Sequence, residues 1–168
     1  FLNLNLIGQG DVVIGGTTAA TVASTISGST TTQQTALLTI ANGDAAINSL
    51  TIGKGGGQHF SNTAIGYQVL YENGTSDIEN TVVGYQALKN NNGIRNSAFG
   101  FKAMSLNTEG GQNSAFGLYA FYNNTSGGNN TAVGSYALWN NKNGPNNTGI
   151  GFSSLEKLSS GGYNVAVG

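Results

Sequence analysis

The stretch Asn113-Ser-Ala-Phe-Gly117-Leu-Tyr-Ala-Phe121 is one copy of a unit that recurs along this 168-residue chain from residue 62 onward. Each copy opens on Asn and reaches Gly four residues later, and the opening residues are spaced 18, 16, 17, 17, 17 and 17 positions apart. A fixed period of this size is typical of solenoids. The opening residues are Asn62, Asn80, Asn96, Asn113, Asn130, Asn147 and Asn164, and the closing ones are Gly66, Gly84, Gly100, Gly117, Gly134, Gly151 and Gly168.

Each copy contains a strand, a second apolar block and a polar loop. In the segment from Asn to Gly, successive side chains alternate between two faces, as is typical of a β-strand. In the block that follows, bulky residues at the first and fourth places have i, i+3 spacing, which favours a short helical turn, and Phe152-Ser-Ser-Leu-Glu-Lys-Leu158 is the fullest copy. Loops rich in Asn and Gly, such as Asn123-Asn-Thr-Ser-Gly-Gly128, complete each copy, because these residues tolerate the positive φ angles of tight turns.

The side-chain alternation of the strand predicts two faces with different roles. The bulky residue before each Gly, such as Phe116, is expected to fill the interior against the helical block. The small residue before it, such as Ala115, is expected on the opposite face, where another backbone can approach. Parallel stacking would place successive strands about 4.8 Å apart. The repeated Asn then predicts an amide ladder along the stack, or an Asn that only starts each turn.

These patterns predict a mainly β fold, a repetitive parallel β-solenoid with one strand and one short helical turn in each 17-residue coil. Residues 61–168 are expected to form a seven-unit solenoid. Residues 1–60 lack the period but carry short β-like runs, including Thr35–Ile40 and Ala45–Ile52. We therefore interpret them as a β-rich lead-in or capping region, because the terminal units of solenoids are usually atypical.

The composition argues against several classes of partner. Only 8% of the residues are charged, the formal net charge is −1, and the six basic residues are dispersed, so the chain lacks the basic surface that binds nucleic acid. No apolar run approaches the ~20 residues that a membrane span needs, so no membrane insertion is expected. The chain has no Cys, which excludes disulfides and thiolate metal sites.

The residues that carry chemistry are few and scattered, so the chain is not expected to be an enzyme or to hold a cofactor or metal. The single histidine, His59, has no neighbouring Cys or second His, and Gly53-Lys-Gly-Gly-Gly57 lacks the order of a phosphate-binding loop. Paired carboxylates could serve a polysaccharide depolymerase. Only Asp77 and Glu79 are close together, however, and both lie in an enlarged loop, which favours solvated charges.

Three aromatic residues, Tyr71, Tyr122 and Trp139, occupy the ninth place after the opening Asn. Stacking of coils would align them along one edge, where rings beside Asn-rich loops could contact a carbohydrate. The alternative interpretation is that they cover the core or contact a neighbouring chain.

The phrase Leu50-Thr-Ile-Gly-Lys-Gly-Gly-Gly57, followed by tandem units of the Asn-Thr-Ala-Val-Gly-Tyr-Gln-Ala-Leu type, resembles repeats of bacteriophage long tail fibres. A weaker similarity links the Asn-x-Ala-x-Gly element to head repeats of trimeric autotransporter adhesins. The tail-fibre resemblance implies a parallel homotrimeric fibre, intertwined or side by side. It also implies surface attachment, a location as a virion appendage or at the extracellular cell surface, and two partners: copies of the chain itself and a host-surface glycan.

The sequence therefore predicts a non-enzymatic structural subunit of a fibre or filament. One alternative is a carbohydrate-binding adhesin module of a bacterial surface protein. A second alternative is a filament subunit that polymerises end to end, because the last copy stops at Gly168 without its second block.

Overall fold

A computed structural model describes residues 50–55, 59–72 and 78–168, together with the backbone of residues 45–47. The run Thr35–Ile40 lies outside these residues. The described part of the chain forms one nine-stranded sheet whose strands neighbour one another in chain order. The strands are β1 (Ala45–Ile47), β2 (Leu50–Gly53), β3 (Thr63–Gly66), β4 (Thr81–Val83), β5 (Ser97–Phe99), β6 (Ser114–Phe116), β7 (Thr131–Val133), β8 (Thr148–Ile150) and β9 (Val165–Val167).

The strands from β3 to β9 are parallel, and each pairs with the same segment of the next copy. For example, Ser97 pairs with Ser114, Ala98 with Ala115, and Phe99 with Phe116. The prediction of a mainly β, parallel β-solenoid with coils of about 17 residues is confirmed, and the stack has about six turns. At the N-terminal end of the sheet, β1 pairs with β2 and β2 pairs with β3, and both pairs are antiparallel.

The predicted helical turn is wrong, and no helix occurs among the described residues. The four residues after each Gly, which we name the turn block, form turns with positive φ at the second and fourth places, as at Lys102 (54°) and Met104 (51°). A right-handed helix excludes such angles. The backbone bonds between coils instead: Lys102 N donates to Tyr85 O (2.8 Å) and Met104 N to Ala120 O (3.0 Å).

The two faces of the strands are inverted relative to the sequence prediction. Small central residues such as Ala98 and Ala115 are fully buried, whereas the bulky neighbours point outward and Phe116 is 40% exposed. The interior has little space beside the strand, because a Cβ built on Gly149 would lie 3.1 Å from Ser154 O and 3.4 Å from Leu138 Cγ. Most strands therefore contribute no more than a methyl group to the interior, and Val82 of β4 is the largest residue buried at this place.

The rest of the interior is filled by the turn blocks. Their third and fourth residues are fully buried in successive coils, as at Ala103 and Met104, and at Ala120 and Phe121. These side chains and the strand alanines form one continuous apolar cluster along the stack. The i, i+3 spacing that suggested a helix thus belongs to a turn whose first residue points outward.

Ala115→Leu is expected to destabilise the chain by about 1–3 kcal/mol, because the added carbons must enter a closely packed interior. Ser114→Leu is the matched control, since it adds a leucine to the same strand on the outer face and not in the interior, and it should be clearly less destabilising than Ala115→Leu. Urea titration followed by circular dichroism measures both. Equal losses in the two variants would contradict the observed orientation of the strand.

Candidate functional site

The Asn residues that open each copy form a buried amide ladder parallel to the axis. The side-chain oxygen of each accepts the backbone N–H of the next, from Asn62 to Asn164, at 2.8–3.0 Å. At the centre, Asn113 Nδ2 also donates to Gly127 O at 2.8 Å, so the side chain ties its own loop to the adjoining coil. The ladder joins each coil to its neighbours where no regular sheet bond is available.

A second buried ladder runs through the loops and was not predicted. Asn91, Asn107, Asn124 and Asn141 occupy one place of the repeat and are all fully buried; the first three bond to one another, and Asn141 bonds within its own loop to Gly144. Asn107 Nδ2 donates to Asn91 Oδ1 at 2.6 Å, and Asn124 Nδ2 to Asn107 Oδ1 at 2.5 Å. The sequence does contain a signal, because these residues are spaced 16, 17 and 17 positions apart, the period of the strands.

The closing glycines form a third row, in which two backbones approach closely. Gly117 has a φ of +142°, and a Cβ there would lie 2.6 Å from Gly134 O and 2.7 Å from Gly134 C. The same arrangement recurs at Gly66, Gly84, Gly100, Gly134 and Gly151. The Gly therefore permits both the left-handed turn after the strand and the close contact of adjacent coils.

The exposed side of β3–β9 is uncharged, and we name it the outer sheet face. It carries two rows of side chains, one of hydroxyls and one of bulky apolar groups. Phe99 and Phe116 stack in the middle of the apolar row with centroids 5.0 Å apart. The rows are Thr63, Thr81, Ser97, Ser114, Thr131 and Thr148, and Ile65, Val83, Phe99, Phe116, Val133, Ile150 and Val167.

A continuous aromatic row follows the turn blocks, with one ring in each of six coils. It comprises Tyr67, Tyr85, Phe101, Tyr119, Tyr136 and Phe152, with neighbouring centroids 5.1–6.2 Å apart. The rings at the first place point outward, and Tyr85 is 42% exposed. The row moves to the second place of the turn block at Tyr119, because Leu118 and Ser135 occupy the first.

The structure separates the three predicted carbohydrate contacts. Tyr122 and Trp139 are half-buried in consecutive coils, and Tyr122 meets Tyr119 edge-on at 5.2 Å. Tyr71 is exposed three coils away, about 14 Å along the axis at the usual strand spacing. Lys89 and Ser105 occupy the intervening positions. Only Tyr122 and Trp139 could therefore contact one small ligand together.

The charged side chains of the described coils lie away from the outer sheet face. Two exposed ion pairs join neighbouring coils, Lys89 with Glu72 at 3.3 Å and Arg95 with Glu79 at 2.7 Å. Such surface pairs contribute about 0–1 kcal/mol each. His59 Nδ1 lies 2.9 Å from Ser61 Oγ. Asp77 lies outside the described residues.

The described residues include neither a candidate metal-binding cluster nor a candidate membrane-spanning helix. No group of three or more His, Cys, Asp or Glu side chains in this part of the chain could hold a metal ion. Nor does any helix there have the length and apolar character to cross a membrane.

Comparison of the chain with protein-family models, with curated proteins and with solved structures finds no match.

Proposed function

We propose that this chain is a non-enzymatic structural subunit of a fibre, similar to bacteriophage long tail fibres, and that its copies associate through the outer sheet face. The observation that carries the proposal is the direction of the bonding. The parallel sheet, both amide ladders and the glycine row each join one coil to the next along a single axis. A chain built in this way extends as a rod, which suits a fibre shaft.

The outer sheet face supports self-association because it is apolar and uncharged. Ile65, Phe116, Val133 and Ile150 are each 36–40% exposed, and Val167 is 76% exposed. Contiguous apolar surface of this kind marks interaction sites in soluble proteins. Its rows repeat once per coil, about every 4.8 Å. A second copy in parallel register presents the same period, so its side chains can interdigitate along the whole face.

Three copies around a common axis fit the tail-fibre resemblance. In a closed ring of three copies the outer sheet faces all turn toward the common axis, and heterologous contacts between neighbouring copies cover the apolar row. A role in surface attachment, as a virion appendage or at the cell surface, follows from the same resemblance.

The mass in solution tests this assembly. Light scattering coupled to size exclusion should give about three times the 17.1 kDa of one chain. Replacing both Phe116 and Val133 by Glu should release single chains, because burying unpaired like charges costs several kcal/mol.

Leu106→Glu is the matched control for this experiment. Leu106 is also an exposed apolar residue, at 37%, but it lies outside the outer sheet face, and its replacement should leave the mass unchanged. A wild-type chain whose measured mass stays at 17.1 kDa at every concentration would contradict the proposed association. A mass that keeps growing and is insensitive to the two Glu substitutions would favour end-to-end polymerisation instead.

A further inference from the structure

Two neighbouring coils carry outward-facing residues that differ from the rest of the repeat. Beside the turn blocks that contain Ala120 and Ala137, each coil presents Tyr, a second aromatic residue and Asn at the same three places. We name this array the aromatic–amide patch. It consists of Tyr119, Tyr122, Asn123, Tyr136, Trp139 and Asn140, and all six side chains are half-buried.

The patch is held together by contacts between the two coils. Tyr119 stacks on Tyr136 with centroids 5.6 Å apart and meets Tyr122 edge-on at 5.2 Å. Asn123 Nδ2 donates to Asn140 Oδ1 at 3.3 Å. Among the described residues, the Asn123 oxygen and the Asn140 amide nitrogen have no further hydrogen-bond partner, and the Trp139 ring contacts no other aromatic ring. An acceptor, a donor and a large ring thus remain available.

The fold itself does not require these residue types. The coil containing Ala87 has Gln86, Lys89 and Asn90 at the three places, and the coil containing Ala103 has Lys102, Ser105 and Leu106. Both coils have the same strand pairing and the same positive φ angles in the turn block. Tyr119 and Tyr136 belong to the aromatic row of the turn blocks, but the outward-facing Tyr122 and Trp139 have no explanation in the packing of the coil.

The side chains of the patch indicate which class of ligand it can bind. Sugar rings present C–H groups that pack on aromatic rings and hydroxyls that both donate to and accept from carboxamides. A purely apolar partner would leave the Asn and Tyr polar groups unpaired. The patch is uncharged and is bordered by Lys102 on one side, 5.9 Å from the Tyr119 ring, and by Glu156 and Lys157 in the coil beyond Trp139 and Asn140. An uncharged patch with charges of both signs at its edges favours a neutral ligand over an acidic one.

We infer that the aromatic–amide patch binds a neutral polysaccharide, with Trp139 and Tyr122 as the stacking residues and Asn123 and Asn140 as the hydrogen-bonding ones. The patch uses side chains of the turn and loop, so the inference does not depend on association through the outer sheet face.

Affinity electrophoresis of the full chain tests this site. Native gels containing hydroxyethyl cellulose, dextran or yeast mannan should retard the wild-type chain in at least one case. The double variant Tyr122→Ser and Trp139→Ser should weaken the binding about tenfold or more, which corresponds to losing the stacking of a ring. Serine is the natural residue at this place in Ser105, so the coil should keep its fold, and circular dichroism checks this.

Tyr71→Ser is the matched control, because it makes the same change at the same place of a coil outside the patch. This variant should be retarded as strongly as the wild type. The inference is overturned if the wild type migrates unretarded in all three gels, or if the double variant binds as well as the wild type. It is also overturned if only an acidic polysaccharide such as alginate retards the chain and Lys102→Gln abolishes that retardation.

Discussion

Gly117→Ala is expected to destabilise the solenoid by roughly 2–5 kcal/mol, because a left-handed φ and a steric clash combine at one residue. The φ of Gly117 is +142°, and the new Cβ would lie 2.6 Å from Gly134 O. The obstructing atom belongs to the backbone of the adjacent coil, so a change of rotamer cannot relieve the clash. The two coils must move apart, which also lengthens the sheet hydrogen bonds between β6 and β7. Urea titration followed by circular dichroism should show a clearly lower midpoint.

Gly168→Ala separates the two causes. Gly168 occupies the same place of the repeat and has a φ of +127°, but no heavy atom lies within 4 Å of the position its Cβ would take. This substitution brings only the backbone cost, about 1–2 kcal/mol for a left-handed residue. Similar losses at Gly117 and Gly168 would show that the close approach of adjacent coils is not what requires glycine.

The period and the strand of this fold could be predicted from the sequence, but the direction of the side chains could not. The spacing from Asn113 to Asn130 can be counted in the sequence, and it indicates that the strands of successive copies pair. Alternation gives a strand two faces, and hydrophobicity alone favours placing Phe116 inside. The interior is instead limited by the short coil and is filled by Ala115 and by the turn block, a limit that depends on backbone geometry.

Similar reasons explain what was missed at the candidate sites. Asn124 was assigned to a loop, because Asn is common in turns, although its period matches that of the strands. The aromatic row through Tyr119 could not be predicted, because the i, i+3 spacing indicates a helical turn that the coil does not form. The common place of Tyr71, Tyr122 and Trp139 was visible in the sequence. The sequence did not show that the patch would also include Tyr136 and the side-chain amides of Asn123 and Asn140.

Asn113→Ala is expected to cost roughly 2–6 kcal/mol, because it leaves the buried N–H of Asn130 unpaired, at about 1–3 kcal/mol, and removes two further hydrogen bonds, at about 0.5–1.5 kcal/mol each. The backbone N–H of Asn130 loses its acceptor, which lies at 2.8 Å. The carbonyl of Gly127 loses the Asn113 donor at 2.8 Å and keeps the one from Asn124 Nδ2 at 3.0 Å. The Asn130 side-chain amide loses its contact to Asn113 Oδ1 at 3.1 Å and keeps its bond to Gly128 O. Water cannot reach these groups easily, since Asn113 and Asn130 are fully buried.

Two further variants show whether the ladder, and not Asn in general, is responsible. Asn123→Ala removes one partly buried amide bond of 3.3 Å and should cost less than about 1 kcal/mol. Asn113→Asp keeps the shape and the acceptor oxygen but replaces the donor that faces Gly127 O with a second acceptor. Because two acceptors then oppose each other in a buried site, Asn113→Asp should be at least as unstable as Asn113→Ala at neutral pH. An Asp variant with wild-type stability would mean that the bond to Gly127 does not hold the loop to the coil.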